Sequence, residues 1–133
     1  MSITGECFCG EITYEVKGSL RDARSCHCSR CRKAFSSQSS SVAFLDPGDF
    51  RWVLGSSNLK SYVGKHGYGY QFCKNCGSTL SIVFHNEIIG VTLGCVNGDP
   101  EVEIGMHVYV GSKAAWETLP EGVLQYQEGP PNA

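Results

Sequence analysis

The sequence has no excess of positive charge and little charge of either sign. Its 133 residues include 11 Lys and Arg against 13 Asp and Glu, which gives a formal net charge of −2. A protein that binds nucleic acid generally presents a basic surface, because neutralising phosphates supplies most of its affinity. The charge balance therefore argues against DNA or RNA as a partner.

The sequence also lacks the segments that direct proteins to membranes or to secretion. Its first residues contain neither the basic region nor the apolar region of a secretory signal. No apolar run approaches the roughly 20 residues that a membrane-spanning helix needs. We therefore expect a cytoplasmic protein with no membrane partner. In that compartment thiols stay reduced, and grouped cysteines bind metal or catalyse more often than they form disulfides.

Short segments with alternating or β-branched residues dominate the chain and predict a mainly β fold with little helix. No internal repeat and no break in composition divides the sequence, so we expect one domain over residues 1–133, with a frayed tail at 127–133. Residues 24–33 are expected to form a loop, and residues 113–119 a short helix that Pro120 ends. The predicted strands cover residues 12–16, 42–45, 51–54, 59–63, 70–73, 79–84, 87–93 and 104–110.

What the sequence does contain is cysteine, and seven of its eight cysteines fall into three groups. In two of these groups a glycine follows the last cysteine, Gly10 in one and Gly77 in the other. Glycine at this position suits a metal-binding knuckle, because it can adopt a positive φ and let the backbone curl toward sulfur. We predict a closed structural zinc site from these two groups. Its ligands are Cys7, Cys9, Cys73 and Cys76.

The alternative for these four residues is a set of buried free thiols or a redox pair. A Cys-x-x-Cys pair such as Cys73 and Cys76 is also found in thioredoxin-like proteins. There the pair lies between a strand and a helix, whereas here Gly77 and strand-forming residues follow. The sequence context therefore favours zinc.

Three cysteines remain, Cys26, Cys28 and Cys31, and they are one ligand short of a tetrahedron. A zinc ion with three protein ligands and an open fourth position is typical of catalytic sites. In extended backbone residues 26 and 28 face one way and His27 the other. We therefore expect His27 to lie outside the coordination sphere, where it faces the substrate or supports a ligand.

A second closed site is the alternative for this group. Cys95 or one of three histidines, His66, His85 or His107, would then supply the fourth ligand. Cys95 ends an apolar segment, where a small buried residue is the usual interpretation. Single histidines are also more often ordinary polar or core residues than ligands.

Four basic residues surround the three-cysteine group: Arg24, Arg30, Arg32 and Lys33. One interpretation is a solvated face, or charges that offset a negative three-thiolate zinc. The other is a surface that attracts an anionic small molecule bearing carboxylates. Trp52, Trp116, Tyr68, Tyr70 and Phe72 are interpreted as core residues rather than as the lining of a pocket.

Taken together, the cysteine motifs resemble those of the glutathione-dependent formaldehyde-activating enzyme family, which includes the centromere protein V group. The resemblance extends from about residue 3 to residue 126, with Trp116 as a supporting position. The motifs are Cys7-x-Cys9-Gly10, Cys26-His27-Cys28-Ser29-x-Cys31-Arg32-Lys33 and Phe72-Cys73-x-x-Cys76-Gly77-Ser78.

This resemblance implies a β-tent type fold, in which short coiled β-sheets surround zinc. It implies two zinc ions per chain, a structural one at Cys7, Cys9, Cys73 and Cys76 and a catalytic one at Cys26, Cys28 and Cys31. It also implies carbon–sulfur lyase activity. In that reaction formaldehyde joins reversibly to the thiol of glutathione and gives S-hydroxymethylglutathione.

The sequence thus predicts a zinc-dependent carbon–sulfur lyase that acts on the adduct of glutathione, or a similar thiol, with a small aldehyde. Its catalytic centre would be Cys26, Cys28 and Cys31. The alternative is a non-catalytic, zinc-stabilised module that binds a small molecule or a protein. In that case each of its two zinc sites would have four protein ligands. The sequence does not indicate an oligomeric state. The expected substrate-binding residues are Arg24, His27, Arg30, Arg32 and Lys33.

Overall fold

The structure is a computed structural model that describes residues 2–131. Strands account for 42% of the chain and helices for 15%, arranged in two sheets, which confirms the predicted mainly β fold. The chain divides into two compact units. The first comprises Met1–Arg21 and Ala43–Val102, and the second comprises Asp22–Val42 and Glu103–Ala133.

Residues 2–131 form ten strands and one α-helix, joined by turns and by short 3₁₀ segments. The helix, α1, spans Ser29–Phe35. In chain order the strands are β1 (Ser2–Glu6), β2 (Thr13–Lys17), β3 (Arg21–Cys26), β4 (Ser40–Phe44), β5 (Phe50–Leu54), β6 (Leu59–Val63), β7 (Tyr68–Cys73), β8 (Thr79–Phe84), β9 (Glu87–Thr92) and β10 (Met106–Val108).

One antiparallel sheet of the first unit has the strand order β1-β2-β5. Its inward positions alternate along the strands, as the period of two requires, so that Ile3, Tyr14 and Val16 are buried. The ring of Tyr14 stacks on Phe50 at 5.1 Å and meets the edge of Trp52 at 6.0 Å. This packing fixes the short segment between β1 and β2, which carries Cys7 and Cys9.

The other strands of the first unit form an antiparallel meander, β6-β7-β8-β9. His85 and Asn86 connect β8 to β9 with positive φ values of 49° and 68°. Positive φ at both central residues is the requirement of a type I′ hairpin turn. The predicted hairpin is therefore confirmed, and the turn between β7 and β8 carries Cys76.

In the second unit β3 pairs in parallel with β10, and β4 lies on its other side. Ala23 and Ser25 of β3 are buried together with Val108 of β10. The strand β3 ends at Cys26, and α1 begins three residues later. The three-cysteine group therefore lies at a junction between a strand and a helix.

Three local predictions are wrong. A strand end and α1 occupy residues 24–33, where we expected a loop. Residues 113–119 form no helix, because so short a segment needs an apolar face for stability, and Trp116 is instead 70% exposed. Strand β10 covers three of the seven residues predicted for it.

In the predicted frayed tail, Gln127 and Glu128 accept backbone hydrogen bonds from Gly111 and Tyr109. Asn132 and Ala133 lie outside the described residues. Within residues 2–131, no helix has the length and apolar character needed to cross a membrane.

Candidate metal centres

The first centre consists of four cysteines of the first unit, Cys7, Cys9, Cys73 and Cys76, whose sulfurs all lie within 4.8 Å of one another. The sulfurs of Cys7 and Cys9 are 3.6 Å apart, and those of Cys9 and Cys73 are 3.8 Å apart. A tetrahedral zinc with Zn–S bonds of about 2.3 Å has sulfurs about 3.8 Å apart. The four thiols therefore fit a metal ion with four sulfur ligands.

Two glycines shape the backbone around these sulfurs. Gly10 and Gly77 have φ values of 79° and 83°, in the region that favours glycine. The amide of Gly10 donates to the carbonyl of Cys7 at 3.0 Å, and that of Gly77 to the carbonyl of Cys73 at 2.8 Å. The two segments thus form similar tight turns, as the glycine positions predict.

The four thiols differ in how readily they ionise. Burial raises the pKa of Cys7 to about 11, although the Ile12 amide donates to its sulfur. At Cys76 burial is outweighed by hydrogen bonds involving Ser78 and Cys9, which lower its pKa to about 6. The Ser78 hydroxyl also accepts from the Phe8 amide at 2.8 Å and so links the two turns. Four thiolates in one place require a cation, because ionised groups this close repel one another.

The second centre consists of Cys26, Cys28 and Cys31 of the second unit, with sulfurs also within 4.8 Å of one another. Cys26 is the last residue of β3, Cys28 is the N-cap of α1, and Cys31 lies in the first turn of α1. The sulfur of Cys28 accepts the amide of Cys31 at 3.3 Å. The junction therefore brings together three sulfurs that are close in sequence.

The pKa values of Cys26 and Cys31 move in opposite directions because their side chains form a hydrogen bond with each other. A hydrogen bond from Cys26 lowers the pKa of Cys31 to about 6, against the opposing effect of burial, and Cys28, Ser40 and the charge of Arg30 contribute in the same direction. The same hydrogen bond, together with burial, raises the pKa of Cys26. A bound cation would favour the ionised form of these sulfurs, because thiolates rather than thiols bind metal.

Within residues 2–131, the second centre contains no fourth group able to bind a metal. Cys95, one predicted alternative, directs its thiol to the carbonyl of Thr79 at 3.6 Å. Burial raises its pKa, and Cys7 and Cys76 act on it electrostatically, so it lies beside the first centre. His66, His85 and His107 also do not belong to the three-cysteine group.

His27 is fully buried, with 0% of its surface exposed. Its Nδ1 lies 2.9 Å from Oε1 of Glu117, and its Nε2 lies 2.9 Å from Nδ1 of His107. Both ring nitrogens are therefore used within the protein, as expected for a residue that faces away from the sulfurs. Because His27 has no exposed surface in this structure, a role for it in substrate binding stays a prediction.

The basic residues take different positions around the centre. Arg30 and Lys33 are exposed on α1, three residues apart, and Arg24 of β3 donates from Nε to the carbonyl of Asp22 at 3.2 Å. Arg32 is partly buried, and its Nε is a buried donor without a hydrogen-bond partner. Three cationic side chains thus share the helix that carries Cys31.

Sequence reasoning missed the residues that support the sulfurs from a distance. Glu117 lies 90 positions from His27 and has no local motif, and Ser40 reaches the second centre from the start of β4. Ser78 ends the third cysteine motif, but the motif does not predict its hydrogen bonds with the Phe8 amide and the Cys76 thiol. Trp116 and Tyr68, interpreted as core residues, are exposed.

The fold and the two centres define a class of mainly β proteins with two cysteine clusters that could each hold a metal ion. Within that class, residues 2–112 match the sequence profile of the family described as glutathione-dependent formaldehyde-activating enzyme. The chain belongs to this family.

A solved structure with a similar fold agrees with this family assignment. The crystal structure of a Rhodobacter sphaeroides protein, a structural genomics target, is 31% identical in sequence, with a TM-score of 0.57. The similarity covers 76% of this chain and 96% of that one. Among proteins with curated descriptions, none matches the chain.

Proposed function

We propose that the protein is a zinc-dependent carbon–sulfur lyase that joins a small aldehyde, formaldehyde in the simplest case, to the thiol of glutathione. Cys7, Cys9, Cys73 and Cys76 would hold a structural zinc, and Cys26, Cys28 and Cys31 a catalytic one. Family membership supports the reaction. The observation that carries the catalytic assignment is a group of three thiols with no fourth ligand among the described residues.

The two sets of sulfurs fit zinc because thiolates are preferred ligands of this ion. Cys26, Cys28 and Cys31 would hold the catalytic zinc, which would act there as a Lewis acid toward a thiol or a carbonyl oxygen. In the reaction the sulfur of glutathione adds to the carbonyl carbon and forms the new C–S bond. The carbonyl oxygen becomes a hydroxyl by taking a proton equivalent to the one that the thiol has lost, so the step needs no oxidant or reductant.

The chain's own residues would bind and orient glutathione, which carries two carboxylates. Arg32 is suited to this role, because its guanidinium places a permanent positive charge on the helix that carries Cys31, and arginine binds carboxylates well. Arg30 and Lys33 add positive charge on the same helix, and Arg24 on the strand that ends in Cys26. The cytoplasm is the location that this function requires, because glutathione is kept reduced there and cysteines in that compartment bind metal more often than they form disulfides.

Exchange NMR of glutathione with formaldehyde tests this proposal. We expect the protein to accelerate exchange between free glutathione and S-hydroxymethylglutathione, and Cys28→Ser to abolish the acceleration. Cys95→Ser is the matched control, because Cys95 belongs to neither metal group. It should leave the acceleration unchanged.

A lack of acceleration by the zinc-loaded protein would contradict the proposal, as would full activity in Cys28→Ser. Two closed metal sites and no activity would favour the alternative, a non-catalytic binding module. Loss of activity in Cys95→Ser with retention in Cys28→Ser would mean that the reactive centre has been assigned to the wrong cysteines.

A further inference from the structure

The feature that the proposed function leaves unused is the chain of polar groups behind the three-cysteine centre. It runs from the carboxylate of Glu117 through the buried ring of His27 to the ring of His107, with 2.9 Å at each link. His27 lies between Cys26 and Cys28 in sequence. The contacts of its ring therefore anchor the backbone that joins these two cysteines.

The direction of the first hydrogen bond follows from the carboxylate. An ionised carboxylate only accepts, so Glu117 requires a proton on Nδ1 of His27. Between Nε2 of His27 and Nδ1 of His107 one proton is shared, which a neutral His27 ring accepts and a His27 imidazolium donates. The network thus places a proton on Nδ1 of His27 and gives both nitrogens of this buried ring a partner.

Both partners of His27 are themselves held by the backbone. The Lys113 ammonium donates to the carbonyl of Glu117 at 2.8 Å, and the amide of Glu117 donates to Ala114 at 3.1 Å. The amide of His107 donates to the carbonyl of Leu124 at 2.8 Å. The two side chains that fix the ring therefore belong to ordered segments, although neither is near His27 in sequence.

The backbone of the centre is fixed in the same way. The amide of His27 donates to the carbonyl of Val108 at 2.9 Å, and that of Cys26 donates to the hydroxyl of Ser40 at 3.4 Å. These contacts hold the segment at the end of β3. The ring of His27 adds two side-chain contacts to this segment, one with Glu117 and one with His107.

We propose that Glu117 and His107 are positioning residues of the three-cysteine centre. By fixing the ring of His27 they hold Cys26 and Cys28 in the arrangement that retains a metal ion with three protein ligands. This inference rests on the proposed function in one respect, that a metal ion occupies this centre. A centre with three ligands depends on such support more than one with four, because it has fewer bonds to the metal to offset disorder in its ligands.

Competition with a chelator tests the inference on the zinc-loaded protein. For Glu117→Leu we expect one of two zinc equivalents to be held about 10- to 100-fold more weakly, the usual effect of removing a group that orients ligands. The other equivalent should be unchanged. Glu117→Gln should recover most of the affinity, because its amide oxygen can accept from His27. Glu121→Leu, the same change at an exposed position, should retain both equivalents.

Imidazole ¹⁵N NMR gives a second readout that needs no substitution. In both metal-free and zinc-loaded wild-type protein, we expect His27 to carry a proton on Nδ1, the nitrogen that faces Glu117. The opposite tautomer would overturn the inference, as would equal zinc retention by Glu117→Leu and the wild type. A wild type that binds only one zinc would overturn the proposed function instead, which separates the two failures.

Discussion

The two cysteine centres reach similar sulfur arrangements in opposite ways. The first draws its ligands from segments more than sixty positions apart, and tight glycine turns and nearby amides support it locally. The second takes its ligands from six consecutive residues, but its support, Glu117 and His107, comes from 80 to 90 positions away. We infer that the four-cysteine centre stabilises the fold, whereas the three-cysteine centre depends on the fold for its geometry.

The largest effects that test this difference between the centres should come from removing one ligand from each. We expect Cys7→Ser to lower the free energy of unfolding by roughly 3 kcal/mol or more, because a structural zinc that joins distant segments contributes directly to folding. For a chain of this length that corresponds to a fall in Tm of about 10 °C or more. Cys28→Ser should cost less than about 1 kcal/mol. Thermal unfolding of zinc-loaded proteins measures both.

Equal destabilisation by the two variants would contradict the distinction between a structural and an open centre. Removal of zinc from the wild type gives a further check. The loss of the more tightly held equivalent should accompany unfolding, while the other should leave without it.

A smaller effect concerns the proposed substrate surface beside the second centre. We expect Arg32→Gln to raise KM for glutathione about tenfold with little change in kcat, since a charge-assisted hydrogen bond contributes roughly 1.5 kcal/mol. The initial rate of adduct formation at varied glutathione concentration measures this. Arg51→Gln, which breaks only the exposed pair with Glu15 in the first unit, is the matched control. An unchanged KM in Arg32→Gln would remove Arg32 from the substrate surface.

The sequence predicted the features that depend on short spacing. Alternating residues located most strands, and the glycines after Cys9 and Cys76 indicated their tight turns. Extended backbone at residues 26–28 correctly turned His27 away from the sulfurs. These features follow from local geometry, which the spacing of residues determines.

The features that sequence reasoning missed depend on tertiary contacts. Helix α1 is one such case, because it is short and lies in a segment whose cysteines suggested a loop. The partners of His27 could not be identified, since nothing near Glu117 or His107 in sequence points to residue 27. At residues 113–119 the local sequence predicted a helix that the structure does not contain. There the Lys113 ammonium donates to the carbonyl of Glu117, and the segment forms a non-helical turn.

The smallest expected effect is a pH dependence within the second unit. Burial, together with the neighbouring His27, lowers the pKa of His107 below its ordinary value, and Glu117 partly opposes this. As pH falls below about 6.5, the unfolded chain takes up a proton at this residue before the folded protein does, so stability decreases. The decrease should be small, because His107 is only partly buried.

Urea unfolding between about pH 5.5 and 7.5 with excess zinc measures this dependence. We expect His107→Gln to be less stable than the wild type at neutral pH and to show a shallower slope as pH falls. An unchanged slope would mean that His107 does not contribute to the pH dependence.

The most direct test of the central claim, one closed centre and one open centre, is ¹¹³Cd NMR of the protein with cadmium in place of zinc. We expect two cadmium resonances, of which only one shifts when glutathione is added. In Cys28→Ser that resonance should move or disappear while the other stays in place. If neither resonance shifts on addition of glutathione, the claim is contradicted, because neither centre then has a position open to a thiol.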